Sequence, residues 1–346
     1  MSTSARRSPV SLVTGGAGFI GSHVTDELIR AGHRVIVLDD LSGGSLENVN
    51  PKASLRVGSV TDPAFVDSVF SGARIDYVYH FAAYAAEGLS HFVRRFNYTN
   101  NVVGSANLIN ASVRHGVRCF VYASSIAVYG AAPVPMREDV VLAPVDPYGV
   151  AKLAVELDLR AARRLFGLDY VIFRPHNVYG ERQNVWDPFR NVIGIFMSQV
   201  ARGLPCTIFG DGNQRRAFTH ISDVAPVIAA AVDCPDAFGE VFNVGAGEPC
   251  SVNDLSAMVR RVMGRDTGVR YLPARAEVAD AWCDHTKVRR VFGHEAKITL
   301  AEGLERMARW VKQAGPRSSR PAPPVEISRE LPPSWAPLCT RAEESA

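Results

Sequence analysis

From about residue 9 to about residue 175 the chain alternates short apolar runs, rich in valine and isoleucine, with longer stretches whose apolar positions recur at helical spacing. A run that is apolar throughout, instead of at every second position, is a strand covered on both faces. Such runs fall near residues 10–14, 34–38, 54–57, 76–81, 119–124 and 169–173, and the segments between them predict helices at about 19–31, 62–70, 91–115 and 147–166. Strand–helix–strand crossovers are right-handed, so this order predicts an α/β fold of Rossmann type: a doubly wound parallel sheet with helices on both faces.

Beyond residue 175 the alternation loosens into loops at 180–188 and 210–216, with helices expected near 189–202, 222–232, 251–263 and 300–313. This reads as a smaller, mixed α/β lobe that supplies specificity. Frequent prolines after residue 315 break any regular pattern, which predicts an extended or disordered tail. The expected organisation is therefore a flexible 1–8, a dinucleotide-binding domain over 9–175, a mainly substrate-binding lobe over 176–314 and a Pro-rich tail over 315–346. At 346 residues and 47% apolar, the chain has more than one core usually absorbs, which agrees with two closely merged units.

Charge and cysteines narrow the function classes. A formal charge of +3 is too small to make nucleic acid or an anionic membrane the main partner. The six cysteines form no CxxC pair and no metal-ligand spacing, so reduced thiols are expected, without a zinc site or a disulfide scaffold. The N-terminus has no apolar signal-like region and no later stretch approaches a membrane span, which predicts a soluble, cytoplasmic protein.

The chemistry lies at the strand ends. The first strand runs into Thr14-Gly15-Gly16-Ala17-Gly18-Phe19-Ile20-Gly21, a GxxGxxG turn. Gly15 and Gly18 permit the turn and a close approach of backbone N–H groups to a pyrophosphate. Gly21 permits helix–sheet packing, and Phe19 and Ile20 open the helix at the same site. Glycine-rich turns are common, but Asp39 closes the second strand about twenty residues on. A carboxylate there can accept both hydroxyls of an adenosine ribose and repels a 2′-phosphate, which favours NAD over NADP.

Tyr148 and Lys152 are four apart in DPYGVAKLAVE, where Asp146 can cap and Pro147 can start a helix, so they share one face near its N-terminus. A nearby ammonium and a positive nicotinamide would make the phenol a base near neutrality. Ser125 lies just past the fifth strand, at the sheet edge where ligands bind, and can hydrogen-bond the oxygen being deprotonated; its neighbour Ser124 competes for that role.

These groups occur with His80-Phe81-Ala82-Ala83, Asn101-Val102-Val103-Gly104, Arg174-Pro175-His176-Asn177-Val178-Tyr179-Gly180 and Arg216-Ala217-Phe218-Thr219-His220-Ile221-Ser222-Asp223. With them the chain, from about residue 9 to about 313, resembles the extended short-chain dehydrogenases. The likeness is strongest to the NAD-dependent nucleotide-sugar epimerase/dehydratase family, on its UDP-glucose 4-epimerase branch. The resemblance implies that Phe81 and Ala82 line the dinucleotide, that Asn101 borders its nicotinamide half and that Lys152 also holds the nicotinamide ribose. It implies further that Asn177, Asn191, Arg216 and Arg275 meet the nucleotide diphosphate of a UDP-sugar. By the same resemblance, two subunits pair through helices near 91–115 and 147–166, with Leu153, Leu157 and Ala161 in one row.

Three positions depart from the family's pattern. Ser59, with Asp62 three residues on, stands where an Asp usually holds the adenine amine. Ala85 stands where a lysine follows the HFAG-type turn, and Arg275 is shifted by one. Aligning Ala281-Trp282-Cys283-Asp284 on the WxD-type motif puts Ala281 at the family's size gate, which would admit a 2-acetamido sugar. Family dehydratases place Asp-Glu directly after the active-site hydroxyl residue; here stand Ile126 and Ala127, which cannot move a proton. The expected reaction is therefore 4-epimerisation, ahead of 4,6-dehydration, oxidative decarboxylation or uronate epimerisation. A dinucleotide sensor that does no chemistry has no use for Ser125, Tyr148 and Lys152 together.

Overall fold

Five consecutive buried residues, Val10–Thr14 (β1), sit at the centre of a parallel sheet. The computed structural model describes residues 7–275, 277–315 and 322–339. On one side β1 pairs with Arg34–Asp39 (β2), which pairs with Ser54–Val57 (β3). On the other side come Tyr77–His80 (β4), Cys119–Ala123 (β5) and Asp169–Pro175 (β6). The strand order reverses between β1 and β4, the point where an open α/β sheet leaves a crevice beyond its carboxyl ends. Both Gly15 and Phe81 lie just past that edge.

The crossover helices are Phe19–Arg30 (α1), Pro63–Ser71 (α2), Arg94–Tyr98 (α3), Gly104–Arg114 (α4) and Pro147–Phe166 (α5). The single helix expected over 91–115 is divided by a π-helical turn at Thr99–Val103, a widening often found beside functional sites. Asp146 caps α5 by accepting from the Gly149 N–H (2.8 Å), and Gly167, at φ +72°, ends it. Ala151, Val155, Leu159 and Ala162 cover the sheet. Leu157, Leu165 and Phe166 are exposed on α5, so the row through Leu157 and Ala161 faces away from the protein's own sheet.

The second half begins with Val178–Tyr179 (β7), Val192–Ala201 (α6), Cys206–Phe209 (β8), Arg215–Ala217 (β9), Thr219–His220 (β10) and Ile221–Ala229 (α7). Then follow Glu240–Val244 (β11), Pro249–Ser251 (β12), Val252–Met263 (α8), Val269–Leu272 (β13), Asp280–Ala281 (β14), Thr286–Phe292 (α9) and Leu300–Ala314 (α10). Two elements from beyond residue 175 return to the dinucleotide-binding half. α7 packs on α1, and β11 joins β6 in parallel as the seventh strand. The reason is physical: β6 would otherwise present an unpaired edge. The short run EVFNV, buried from Val241 to Val244, satisfies that edge and adds Phe242 to the core. The lobe proper is built on α6, α8 and α10 around Phe196, Leu255, Val259, Leu304 and Met307.

One polar network crosses the core beneath the carboxyl end of β5. Arg174 and Glu156 are both fully buried and form a two-pronged ion pair, Nη2–Oε2 2.6 Å and Nε–Oε1 2.9 Å. Ser124 donates to the same carboxylate (2.5 Å), and Arg174 donates to the Tyr129 hydroxyl (2.8 Å), which donates in turn to Asn243 (2.7 Å). Burial alone would lower the guanidinium's pKa, and Glu156 holds it up instead. The turn carrying Ser124 and Ser125 is thereby tied to α5, β6 and β11.

The tail was expected to be extended or disordered, and its described part, 322–339, is mostly extended chain packed on the rest of the protein: Trp335 and Cys339 are buried against Ala86, Leu89, Val93 and Phe189, and Ala336–Cys339 (α11) forms a last helical turn. Prolines exclude regular ladders, but they do not prevent an extended chain from burying its aromatic side chains. Among the described residues no helix is long and apolar enough to cross a membrane.

Candidate active site

A single cleft of about 1570 Å³ runs from the GxxGxxG turn, past the ends of β4 and β5, to the lobe. At its first end Gly15, at φ +70°, lies so close to the loop after β4 that a Cβ would stand 2.6 Å from the Ala82 nitrogen. A Cβ on Gly21 would stand 2.2 Å from the Gly15 carbonyl oxygen. Gly18 caps α1 without a side-chain hydrogen bond, which leaves first-turn N–H groups for a ligand's phosphates. The Asp39 carboxylate accepts from Ala17 N–H (2.9 Å) and Leu41 N–H (2.8 Å), and burial raises its pKa against those bonds. Phe19, Ile20, Phe81 and Ala82 line the same end. Gly21→Ala is expected to weaken dinucleotide binding at least tenfold, about 1.4 kcal/mol, because backbone must move to admit the methyl group. Titration calorimetry, with the cofactor content of the purified variant, checks this.

At this end the departure at Ser59 leaves the adenine contact unfilled, and the expectation for Asn101 is corrected. Ser59 bonds Thr61, and Asp62 caps α2 by accepting from Ala64 and Phe65, so the cleft is lined there by Gly58 and Val60, with neither hydroxyl nor carboxylate for an adenine amine. Asn101 is 1% exposed and does not line the cleft. Its amide holds the Tyr84 backbone by both N–H (2.7 Å) and C=O (3.0 Å), so it shapes the loop that carries Phe81 and Ala82.

Midway along the cleft stand Tyr148, Lys152 and Ser125. Ser125 faces the phenol. Burial pushes the Tyr148 pKa well up, with Ser125 hydrogen bonding pulling the other way and the Glu87 and Asp146 charges adding to the rise. Burial also brings the Lys152 ammonium down to about 7, although Glu156 opposes it. Lys152 Nζ donates to the Ala123 carbonyl (2.7 Å) and lies 4.8 Å from the Tyr122 ring centre and 5.7 Å from that of Tyr148. The lysine does not by itself make a phenolate in this chain: desolvation outweighs it and drives both groups toward their neutral forms. Of the two serines, Ser124 is committed to Glu156, which leaves Ser125 as the hydroxyl available to a ligand.

At the lobe end the expected residues divide. Asn177, Asn191, Arg216 and Arg275 all line the cleft. Asn177, at φ +43°, donates to the Ala217 carbonyl (3.0 Å), while Asn191 caps α6 and donates to Val178 (3.2 Å), so both amides hold backbone. Arg216 donates to the carbonyls of Arg215 (2.9 Å) and Ala279 (2.7 Å), and Arg275 pairs with Glu277 (3.3 Å). Ala281 is paired beside Arg216, yet it is 8% exposed and packed among Val128, Tyr129, Met136 and Cys283, away from the cleft. It is no size gate, because its methyl group is already part of a packed cluster. Sequence reasoning missed Glu87, an exposed residue on the cleft whose carboxyl pKa is raised by desolvation within the cleft and by the Asp146 charge, with Arg216 and Arg275 opposing. It also missed Phe189, Phe209 and Trp335 on the walls. No motif marks these positions; only the distance folding bridges brings them together.

Known proteins match this arrangement over most of the chain. Residues 11–245 match the model of the NAD dependent epimerase/dehydratase family. A UDP-glucose 4-epimerase of Mycolicibacterium smegmatis is 34% identical over 87% of this chain and 98% of its own length. Among solved structures, the UDP-glucose 4-epimerase of Thermotoga maritima, determined with UDP-glucose, is 36% identical with a TM-score of 0.83. It aligns with 88% of this chain and 99% of its own. The UDP-glucose 4-epimerase of Thermus thermophilus in complex with NAD is 31% identical with a TM-score of 0.83, over 88% of this chain and all of its own (100%).

Proposed function

Because the chain belongs to the NAD dependent epimerase/dehydratase family, we propose that it is a nucleotide-sugar 4-epimerase acting on a UDP-hexose. The observation that carries this reading is the placing of Tyr148 and Ser125 on the wall of one cleft whose far end, with Gly15, Gly21 and Asp39, fits NAD. Tyr148 takes the proton of the sugar's C4 hydroxyl and returns it to the same oxygen once the 4-keto sugar has rotated and C4 has been re-reduced on its opposite face; Ser125 holds the oxygen by a hydrogen bond. Bound NAD would supply the hydride acceptor and donor for C4, together with a positive ring that would favour the Tyr148 phenolate. Lys152, hydrogen-bonded to the Ala123 carbonyl beside the Tyr148 ring, would hold the nicotinamide ribose. Arg216 and Arg275 serve the diphosphate, and Asn177 and Asn191 hold the backbone around it.

Ser125→Ala is expected to lower kcat about tenfold, less than the loss of Tyr148, because it removes a positioning bond and leaves the base. Ser124→Ala should instead destabilise the fold by about 1–3 kcal/mol, by leaving the buried Glu156 oxygen short of a donor. Turnover and denaturant melts of both variants test this, and a larger rate loss at Ser124 would reverse the assignment.

Glu87 favours a second reading. Its carboxyl lines the cleft wall and has its pKa raised, so it can act as acid or base beyond Tyr148, which a 4,6-dehydratase needs and Ile126 and Ala127 cannot supply. A product screen with UDP-, dTDP- and GDP-sugars by mass spectrometry and NMR separates the two. An isomer of unchanged mass supports the epimerase; loss of water supports the dehydratase. Of the row Leu153, Leu157 and Ala161, the last two are exposed while Leu153 packs on the chain's own cluster around Val128 and Met136; with exposed Val103 on the neighbouring segment they support a homodimer through α4 and α5. Light scattering should give twice the chain mass at micromolar concentration, and a monomer would refute the pairing.

A further inference from the structure

The relatives stop short of this chain. The Thermotoga enzyme aligns over 99% of its length and leaves 12% of this one over (100 − 88), more than the short stretch before β1 can hold. The likeness read from the sequence runs only to about residue 313, within α10. Beyond it, residues 322–339 do not lie idle on the surface: Pro323, Pro324, Trp335 and Leu338 are part of the cleft wall.

Two anchors hold this segment across the cleft. On the Rossmann side, the two Glu326 carboxylate oxygens accept from the backbone N–H groups of Arg95 (2.7 Å) and Phe96 (2.9 Å), and the N–H groups of Glu326 and Ile327 donate to the Phe92 carbonyl (2.8 and 3.2 Å). On the lobe side, the buried Trp335 ring stands edge-on to Phe189 (5.3 Å) and Phe209 (6.2 Å) and also meets Phe92 (6.2 Å). Gly88 makes room for it, since a Cβ there would lie 2.9 Å from the indole. The Arg275 guanidinium lies 5.7 Å from the Trp335 ring centre and 4.5 Å from that of Phe209. A long cationic side chain at an open cleft ordinarily loses rotamer freedom when it binds an anion. One already placed against two aromatic faces has lost it beforehand.

We propose that segment 322–339 is a strap that completes the nucleotide end of the cleft, and that Trp335 is a positioning residue which fixes Arg275 for the diphosphate of a nucleoside-diphosphate sugar. This rests on the reading above that Arg275 serves the diphosphate. The strap ties α3 to the lobe, and its ring orients a cation contributed by the lobe.

Calorimetric titration of the full chain with UDP, dTDP and GDP is the test, with bound NAD as the measure of an intact fold. Trp335→Ala should weaken binding of the preferred nucleotide about tenfold and raise KM by a similar factor, while kcat falls less than about threefold. Trp335→Phe should recover most of the affinity. In an Arg275→Ala background, Trp335→Ala should cost less than about twofold more, as expected of two residues acting through one contact. Unchanged affinity in Trp335→Ala, or a full additive loss in the Arg275→Ala background, overturns the proposal; tighter binding overturns it too, by showing a tail that blocks the site. If Trp335→Ala loses NAD, Glu326→Ala takes its place in the titration, with weakened binding supporting the strap and unchanged or tighter binding overturning it. A wild-type protein that binds UDP without turning over a UDP-hexose refutes the epimerase reading and leaves the strap to be judged on the affinities. Binding none of the three nucleotides refutes the strap.

Discussion

Tyr148→Phe is expected to lower kcat for a UDP-hexose by about 10²–10⁴-fold, with the fold and the bound NAD retained. The substitution removes one oxygen. The ring of Tyr148 lies in the cleft wall beside Lys152 and its backbone N–H is held by Ser90 (3.2 Å), so Phe keeps the packing and loses only the proton acceptor. The pH dependence gives an independent check. Burial raises the phenol's pKa, so the base form grows as pH rises, and wild-type kcat/KM should climb on its acid side. That limb should be absent from whatever rate Tyr148→Phe retains. Raising the pH should not restore the variant, since it has no group to deprotonate. Near-wild-type turnover in Tyr148→Phe would remove the proposed mechanism.

The largest expected effect on stability lies beneath the site, at Glu156→Leu. It leaves the Arg174 guanidinium fully buried with the Tyr129 hydroxyl but without its carboxylate, and strands the Ser124 hydroxyl. Breaking one side of a buried pair typically costs about 3–5 kcal/mol, because the remaining charge stays desolvated. Urea denaturation should show a loss of that size. The double variant Glu156→Leu/Arg174→Met should be less destabilised than Glu156→Leu alone, since it leaves no unpaired charge. Activity should fall with stability, because the turn that presents Ser125 is tied down through Ser124. Equal stability of Glu156→Leu and the wild type would show that the pair contributes little to holding β5, β6 and α5 together.

What the sequence disclosed follows the range of the forces involved. Apolar periodicity and local caps placed β1 to β6 and α5 almost to the residue, because Val and Ile runs, Asp146 and Pro147 act within a few positions of themselves. The glycine turn was legible for the same reason. β11 was not, because EVFNV differs little from other short apolar runs, and only the open edge of β6, far away in the chain, makes it a strand of this sheet. Ala281 was misplaced for the opposite reason: a motif position fixes the register along the chain, and not which neighbours fill the space around it. The tail was read from its prolines, which describe what backbone cannot do; where Trp335 settles depends on Phe189, Phe209 and Gly88. Asp39, Ser125, Tyr148 and Lys152 were singled out by their spacing, and all four line the cleft. Glu87, with Arg216 and Arg275 acting on its carboxyl, could be recognised only from the assembled cleft.

Epimerisation by this route removes a hydride from C4 and returns it to the same carbon. A UDP-hexose carrying deuterium at C4, incubated with the protein in ordinary water without added NAD, tests this directly. The expected product is the C4 epimer at unchanged mass, with the deuterium still on C4 by NMR. Deuterium lost to solvent, or a product lighter by one water, would contradict the mechanism.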